Sequence, residues 1–131
     1  LDICDKKGKF KIMASHDGYK NILSGAIHKR TWEFNKSSLI IKDEINGAKT
    51  DKMIEMILPL HPSVKVNSVN KKTVLCETYR NEFYIEYLGN GLLEIKDSEY
   101  YPEFGKASSN IKLVFKVKTQ LPYNLKTRIK W

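Results

Sequence analysis

NIKLVFKVKTQLPYNLKTRIKW, residues 110–131, decides the fold class of this chain. Its first half alternates apolar residues with lysines, as in Ile111, Leu113, Phe115 and Val117 against Lys112, Lys116 and Lys118. Its second half repeats the pattern with Leu125, Thr127, Ile129 and Trp131 against Lys126, Arg128 and Lys130. Successive strand side chains point to opposite faces of a sheet, so both halves are predicted to be strands with one buried face. The proline-containing segment between them, residues 120–124, predicts a hairpin loop.

The same two-residue period recurs upstream, in residues 9–15, 39–45, 54–60 and 83–87. Asn46-Gly47 and Gly89-Asn90-Gly91 supply turn signals after two of these segments. The only candidate helix, residues 51–60, carries Pro59 and is flanked by strand-like segments, which argues against a helix. About nine short strands, each sheet having one apolar face to bury, predict an all-β fold: a two-layer antiparallel β-sandwich spanning residues 1–131 as a single domain.

Length and composition exclude several classes of protein. The longest apolar run, MILPL at 56–60, is far shorter than the ~20 residues of a membrane helix, so no membrane partner is expected. The chain begins at Leu1 without a secretory signal, and we expect it to be a fragment of a longer polypeptide. Two distant cysteines, Cys4 and Cys76, are interpreted as buried thiols, with a disulfide as the alternative.

The net charge is +8, and such a surface attracts polyanions. Most of the cations are lysines that alternate with apolar residues along strands, as the solvated face of a sheet does. Charge alone therefore leaves two alternatives, an acidic polysaccharide partner or an ordinary solvated surface. No nucleic-acid-binding motif accompanies the charge, and no nucleic-acid partner is expected.

A strand predicted over residues 26–34 would place His28, Arg30, Trp32 and Phe34 on one face. One interpretation is a sugar-binding surface, in which aromatic rings cover pyranose faces and Arg30 pairs with a carboxylate or sulfate. His28, Arg30 and Trp32 are then the candidate substrate-binding residues. The alternative places Trp32 and Phe34 in the core and leaves His28 and Arg30 at a solvated strand end.

His16 and Asp17 form the second candidate. An imidazole next to a carboxylate suggests acid–base chemistry, or a zinc site completed by His28. Adjacent strand residues point to opposite faces, however, and Asp17-Gly18 is a common turn dipeptide, so a structural turn is favoured. We predict no metal site and no catalytic residue in this chain. His61 is interpreted as a strand-end residue.

A dense aromatic segment, YYPEFG at 100–105, is the third candidate. Such a segment could bind sugar rings by stacking. The favoured interpretation is structural: it packs over the end of the sandwich, with Pro102 setting a turn and Gly105 releasing it.

Two long segments carry a family resemblance. ASHDGYKNILSGAIHKRTWEFNKSSLIIKDEING (14–47) and YYPEFGKASSNIKLVFKVKTQLPYNLKTRIKW (100–131) resemble the C-terminal β-sandwich region of bacterial heparinase II/III-like polysaccharide lyases. The matching positions are His16-Asp17-Gly18-Tyr19, His28-Lys29-Arg30 and Tyr101-Pro102-Glu103-Phe104-Gly105. The resemblance implies mainly architectural roles for these residues.

The resemblance also implies a function. In this family a helical toroid precedes the sandwich and carries the groups that break uronate-containing polysaccharides, such as glycosaminoglycans, by β-elimination. Zinc in the family, where present, is held by upstream motifs that this chain lacks. The resemblance therefore implies an inactive terminal sandwich whose partner is a toroid domain of the same polypeptide, in the periplasm or cytoplasm of a bacterium. The alternative is a self-contained carbohydrate-binding or structural module.

Overall fold

The computed structural model describes the backbone of residues 2–6, 9–19 and 25–131, and the side chains of residues 9–16 and 25–131. This part of the chain forms eleven strands and no helix. The strands are β1 (Asp2–Lys6), β2 (Lys9–Tyr19), β3 (Ala26–Phe34), β4 (Ser38–Asn46), β5 (Asp51–Pro59), β6 (Lys65–Asn70), β7 (Thr73–Glu77), β8 (Glu82–Leu88), β9 (Leu92–Glu103), β10 (Lys106–Gln120) and β11 (Tyr123–Lys130).

The strands build two antiparallel sheets, which confirms the predicted two-layer sandwich. One sheet of eight strands has the order β1-β2-β3-β4-β11-β8-β7-β6, and the other has the order β5-β10-β9. The layers are unequal, so the three-stranded sheet faces only part of the larger one. Strand β5 is an edge of the small sheet, and this edge bounds the site described below.

The core forms where the two sheets face each other. Phe115 of β10 stacks on Tyr87 of β8, with ring centroids 4.9 Å apart and an interplanar angle of 8°. The remaining buried core residues come from both layers: Met56, Val74, Cys76, Ile85, Leu113, Val117 and Leu125. The apolar alternation of residues 111–117 therefore marks the buried face of β10, as predicted.

The predicted hairpin between the last two strands is wrong. Strand β10 pairs with β5 and β9, whereas β11 pairs with β4 and β8 in the other sheet. The connection is a crossing between layers, with a cis peptide bond between Leu121 and Pro122. Leu121 is 3% exposed, so burial of this side chain holds the crossing against the core. Because the two strands lie in different layers, their lysine rows are not neighbours.

The expected turn at Asp17-Gly18 is also wrong. The backbone of both residues belongs to β2, and the pairing register with β3 shifts between His16 and Tyr19. Three residue steps on β2 span two steps on β3, which is the geometry of a β-bulge. The side chains of Asp17 and Tyr19 lie outside the described residues.

Most of the aromatic segment at 100–105 does not pack over the sandwich as expected. Among the described residues, only its Tyr100 ring contacts another element, with its centroid 5.7 Å from that of His61. The segment forms the tip of the β9–β10 hairpin, where Tyr101 is 64% exposed and Phe104 is fully exposed. Gly105 makes the turn with φ of +79°, while Pro102 lies in the strand, next to a register shift. An edge strand with a bulge tolerates proline, because no ladder hydrogen bond needs its missing N–H.

Cys76 is a free, buried thiol, and burial raises its pKa to about 11. The side chain of Cys4 lies outside the described residues. His61 lies between β5 and β6 as an exposed residue bonded to Ser63. None of the described segments is a helix with the length and apolar character needed to cross a membrane.

Candidate functional site

The candidate site is built by rows of paired residues on the inner face of the large sheet. Strand β3 spans Ala26–Phe34, the range predicted from the sequence. Arg30 of β3 lies opposite Asp43 of β4, and Asp43 lies opposite Leu125 of β11. Directly opposite residues share one face of a sheet. Leu125, Asp43 and Arg30 therefore form one row across three strands, apolar at Leu125 and charged at Asp43 and Arg30. His28 occupies the neighbouring row and reaches the same carboxylate.

Asp43 is the centre of this cluster. Its Oδ1 accepts hydrogen bonds from Nε2 of His28 at 2.6 Å and from Nε of Arg30 at 2.5 Å. An ionised carboxylate only accepts, so Nε2 of His28 carries a proton. Oδ2 is buried and has no hydrogen-bond partner among the described residues. The hydrogen bonds therefore fix the side chains of His28, Arg30 and Asp43 relative to one another, and leave Oδ2 of Asp43 without a donor among the described residues.

The electrostatics favour a negative charge on Asp43. Burial alone would raise the pKa of its carboxyl group, since the side chain is only 4% exposed. The hydrogen bonds from His28 and Arg30, with the positive charge of Arg30, outweigh burial and lower the pKa below 3.8. The guanidinium of Arg30 also lies 6.0 Å from the ring centroid of Trp32, within cation–π range.

The cluster opens into a cavity of about 220 Å³ between the sheets. Asp43, Arg30 and His28 form one wall, and Lys52 to Met56 of the β5 edge form the opposite wall. The rest of the lining is apolar: Ala26, Ile45, Leu121 and Leu125. The site is thus an apolar cleft with a few convergent polar groups on one side, which is the usual composition of a ligand-binding site.

This arrangement suits binding better than catalysis. The lining contains no serine, threonine, cysteine or tyrosine, so no hydroxyl or thiol nucleophile faces His28 across the cavity. Nε2 of His28 is engaged by Asp43, which fixes the imidazole but occupies the nitrogen that points into the cluster. The polar groups can therefore hold a ligand. Part of the positive charge of Arg30 is already neutralised by its ion pair with Asp43.

The structure brings together some of the candidate residues predicted from the sequence and separates others. His28, Arg30 and Trp32 lie on one face as predicted, and all three side chains are half-buried. The face is neither a fully open sugar-binding surface nor a plain core face. It continues the core but remains open to the cavity at the β5 edge. His16 lies opposite His28 in the register. The residues Tyr101, Pro102, Phe104 and Gly105 belong to a hairpin of the other sheet and do not line the cavity.

Asp43 is the site residue that sequence reasoning did not identify. The signal was present, because Asp43 interrupts the apolar series Leu39, Ile41 and Ile45 on one strand face. An acid on a buried face needs a partner, and the partner here, Arg30, is an equally anomalous charge on the inward face of its own strand.

On the outer faces of the sheets, cross-strand ion pairs neutralise part of the positive charge. Glu33 lies between Lys11 and Lys42, and the hydrogen bond from Lys42 is the main cause of its lowered pKa. Lys29 pairs with Glu44, Arg128 with Glu86, and Lys116 with Glu55 and Glu94. These contacts favour the interpretation of the lysine rows as solvated sheet faces.

No three histidine, cysteine, aspartate or glutamate side chains in the described part of the chain are placed to hold a metal ion. His28 and Asp43 are in contact, but the third group at Asp43 is the cation Arg30, which repels a metal. Asp17, the other acid of the zinc hypothesis, lies outside the residues whose side chains are described. The described residues therefore do not fit a zinc centre.

Solved structures with the same fold include a heparan sulfate lyase and a heparinase III. The heparan sulfate lyase HepC from Pedobacter heparinus matches 98% of this chain with a TM-score of 0.80 and 17% identity. A heparinase III structure matches 98% with a TM-score of 0.78 and 12% identity. This chain spans about a fifth of the length of those proteins, 21% and 20% respectively. At such identities the likeness establishes the fold.

The family follows from the sequence itself. No curated protein matches the chain significantly. The family profile described as "Heparinase II/III-like, C-terminal" matches residues 3–131, which is nearly the whole chain. The chain therefore belongs to the heparinase II/III-like C-terminal domain family.

Proposed function

We propose that this chain is the C-terminal sandwich of a polysaccharide lyase that breaks acidic, uronate-containing polysaccharide by β-elimination. The observation that carries the proposal is the family match over residues 3–131, together with lyase structures in which the same fold accounts for about a fifth of the protein. The chemistry belongs to the remaining part, a helical toroid that acts as the partner of this domain within one polypeptide.

In this proposal the sandwich supports catalysis without supplying the reacting groups. β-Elimination needs a base placed at the C5 proton of the uronate and a group that neutralises the adjacent carboxylate. In the described cavity the only imidazole has Nε2 tied to Asp43. The sandwich then contributes rigid packing for the catalytic domain, and its positive charge helps to attract an acidic substrate.

We propose that zinc, if the parent lyase uses it, is held by residues outside the described part of this chain. The described residues lack a metal-binding group of three ligands. Activity that depends on zinc in the parent would therefore persist when His28 is changed to alanine.

The test compares the longer polypeptide that carries this chain with a version lacking residues 3–131. Cleavage of heparan sulfate, heparin and alginate is followed by the ultraviolet absorbance of the unsaturated uronate product. We expect turnover by the longer polypeptide, and a loss of stability and activity together when the sandwich is removed. A longer polypeptide that folds and cleaves none of these uronate polymers would contradict the proposal.

A second candidate is a self-contained carbohydrate-binding module without catalysis. The cavity at Asp43 favours it, because polar groups converge there without a hydroxyl or thiol nucleophile. A polypeptide that binds sugar but has no lyase activity in that comparison would select this candidate.

A further inference from the structure

The two sheets of the sandwich differ in width, and the wider one extends past the edge of the narrower one. Met56 of β5 contacts Thr127 of β11 across the layers, with Sδ and Oγ1 3.5 Å apart. Phe115 of the neighbouring strand β10 stacks on Tyr87 of β8. Strands β5 and β10 therefore lie above β11 and β8, and the large sheet continues past the β5 edge through β4, β3, β2 and β1. In the described part of the chain, the small sheet supplies no strand beyond β5 to face them.

The inward side of these overhanging strands is apolar. Five side chains of β2, β3 and β4 form a surface that we call the open face: Phe10, Ile12, Trp32, Phe34 and Leu39. Phe10 is 38% exposed, and its ring centroid lies 6.0 Å from that of Phe34. None of the five belongs to the core cluster between the sheets or packs against it. The described part of the chain therefore leaves the open face only partly buried.

The outward side of the same strands has the composition of a solvated face. Its charged side chains form cross-strand ion pairs, in which Glu33 lies between Lys11 and Lys42, and Lys29 pairs with Glu44. The overhanging strands are thus charged on the side that faces water and apolar on the side of the small sheet. A contiguous apolar surface of this kind marks a place where another element packs.

The backbone of β5 indicates what kind of element covers the open face. The N–H of Leu60 donates to the carbonyl of Ile111, and these two residues form the next pair in the register after Pro59 and Lys112. In an antiparallel pair, hydrogen-bonded and non-hydrogen-bonded positions alternate along the strand. The backbone N–H and C=O groups at positions 53, 55 and 57 therefore point away from β10, toward the space above the open face.

This edge lacks the features that usually keep an exposed strand from pairing. Natural edge strands are short, charged, bulged or interrupted by proline. Strand β6 is short and polar and has a register shift, and β9 has a register shift near its end. Between Lys52 and Pro59, by contrast, β5 carries Glu55 as its single charge, while Met53 and Ile57 are 62% and 52% exposed. An unprotected edge beside an apolar face fits a strand that adds to β5.

A second copy of this chain fits this edge poorly. Antiparallel pairing of two β5 edges about a two-fold axis would place both large sheets on the same side of the joined small sheets. The overhanging strands of each copy would then occupy the space of the other copy's large sheet. The remaining source is the same polypeptide. The matching family profile is described as C-terminal, and this chain spans only 21% and 20% of the two solved chains described above.

We propose that β5 pairs with a β-strand supplied by the part of the polypeptide outside this chain, and that the small sheet extended in this way covers the open face. The added strand alternates apolar residues, which face Trp32 and Phe34, with polar residues that face water. Its first inward side chains fill the cavity between β5 and Arg30. The inference rests on the longer polypeptide of the proposed function, but it is independent of whether that polypeptide cleaves polysaccharide.

The first test is amide hydrogen exchange, resolved to single residues by mass spectrometry, in residues 1–131 alone and in the longer polypeptide. In residues 1–131 the N–H groups of Met53, Glu55 and Ile57 should exchange within about tenfold of the rate of an unstructured peptide. In the longer polypeptide they should slow by at least about 100-fold, because each N–H gains a partner on the added strand. The N–H groups of Ile54 and Met56 point toward β10 and are the internal control, protected in both forms.

Glu55→Pro distinguishes a paired strand from an element that only covers the edge. In the longer polypeptide it should lower the protection of Met53 and Ile57 at least about tenfold, because proline has no N–H to donate to the added strand. Glu55→Ala is the matched control, since it removes the same carboxylate from Lys116 and keeps the N–H. Its protection should stay within about twofold of the original.

Hydroxyl-radical labelling of the longer polypeptide measures the open face directly, and it decides the question if Glu55→Pro fails to fold. Trp32 lies on the open face, and Met13 lies on the opposite side of the same sheet. The ratio of Trp32 oxidation to Met13 oxidation should be at least about fivefold lower in the longer polypeptide than in residues 1–131, because the added strand excludes water from one side alone.

Four results would overturn the proposal. Equal exchange of the three edge N–H groups in both forms, or an unchanged oxidation ratio, would show that the open face stays in water. Edge protection in residues 1–131 that rises with protein concentration would identify a second copy as the occupant. Protection that persists in Glu55→Pro would identify an element that covers β5 without pairing with it.

Discussion

Replacing Arg30 should lower the free energy of unfolding more than replacing Asp43 does. Arg30→Met leaves a carboxylate that is 4% exposed, with Oδ2 unpaired and Oδ1 held by His28 alone. Breaking a fully buried pair costs about 3–5 kcal/mol, and the remaining bond from His28 places this case near 3 kcal/mol. Asp43→Leu instead leaves Arg30, whose side chain is 33% exposed and keeps part of its hydration. The cost there should be about 1 kcal/mol.

The double variant decides whether this reasoning is correct. Arg30→Met combined with Asp43→Leu removes both charges, and its cost should also be about 1 kcal/mol, because apolar replacement of an ion pair is often close to neutral. The coupling energy between the two sites is then about 3 kcal/mol. A pair that contributed only as a surface contact would show coupling below about 1 kcal/mol.

The pH dependence supplies a second check of the same pair. In the original chain the pKa of Asp43 is lowered, so its contribution to stability is present above pH 3.8 and is lost as the pH falls through the lower folded-state pKa. In Arg30→Met, burial is opposed by His28 alone, and the pKa of Asp43 should rise. The destabilisation caused by Arg30→Met should therefore shrink as the pH falls and the carboxyl group takes up a proton.

Urea unfolding followed by tryptophan fluorescence measures all four proteins of the cycle at neutral and acidic pH. Equal costs for Arg30→Met and Asp43→Leu, or strict additivity in the double variant, would refute the buried-carboxylate argument. So would a destabilisation by Arg30→Met that grows on acidification.

Three further predictions concern other parts of the fold. Gly91→Ala should lower the free energy of unfolding in urea by about 3 kcal/mol, because φ is +145° and a Cβ would meet Phe115 at 2.8 Å. Gly105→Ala, with φ of +79° and open space around the Cβ, should lower it by about 1 kcal/mol. Equal costs would mean that the close approach at Gly91 is not rigid. Phe104→Ser should change stability by less than about 0.5 kcal/mol, since the ring is fully exposed; a larger loss would show that the hairpin tip packs on the sandwich. Heparin binding should be weak and should fall steeply at physiological salt, where exposed charges are screened over about 8 Å. Binding that survives salt and collapses in Arg30→Ala would indicate a dedicated polyanion site instead.

Much of the fold was readable from strand alternation. The boundaries of β3, the buried face of β10 and the two-layer arrangement were all predicted. Strands β6, β7 and β9 were not. Strand β6 (Lys65–Asn70) contains few apolar residues and lies at a sheet edge, where burial does not enforce alternation. Alternation reports that a segment is a strand, and it carries no information about which sheet the strand joins.

This gap explains the hairpin error at residues 120–124. A short proline-containing connection fits a hairpin and a crossing between layers equally well, and burial of Leu121 selects the crossing. The bulge at Asp17-Gly18 was missed for a related reason, since the dipeptide that favours a turn also accommodates an extra residue in a strand.

The candidate site was half predictable. His28, Arg30 and Trp32 were identified from their shared face, which depends only on the two-residue period. Asp43 required the register between β3 and β4, since only the pairing places it opposite Arg30. The opposite wall, from β5, depends on how the second sheet lies over the first, and no local pattern encodes that.

The most direct test of the central claim is a lyase assay on residues 1–131 alone, with heparin, heparan sulfate and alginate as substrates. We predict no unsaturated uronate above the level of buffer, because in the proposed function the base and the group that neutralises the uronate carboxylate lie in the toroid domain. Turnover that is abolished in His16→Ala or His28→Ala would contradict it and would place catalytic groups within this domain.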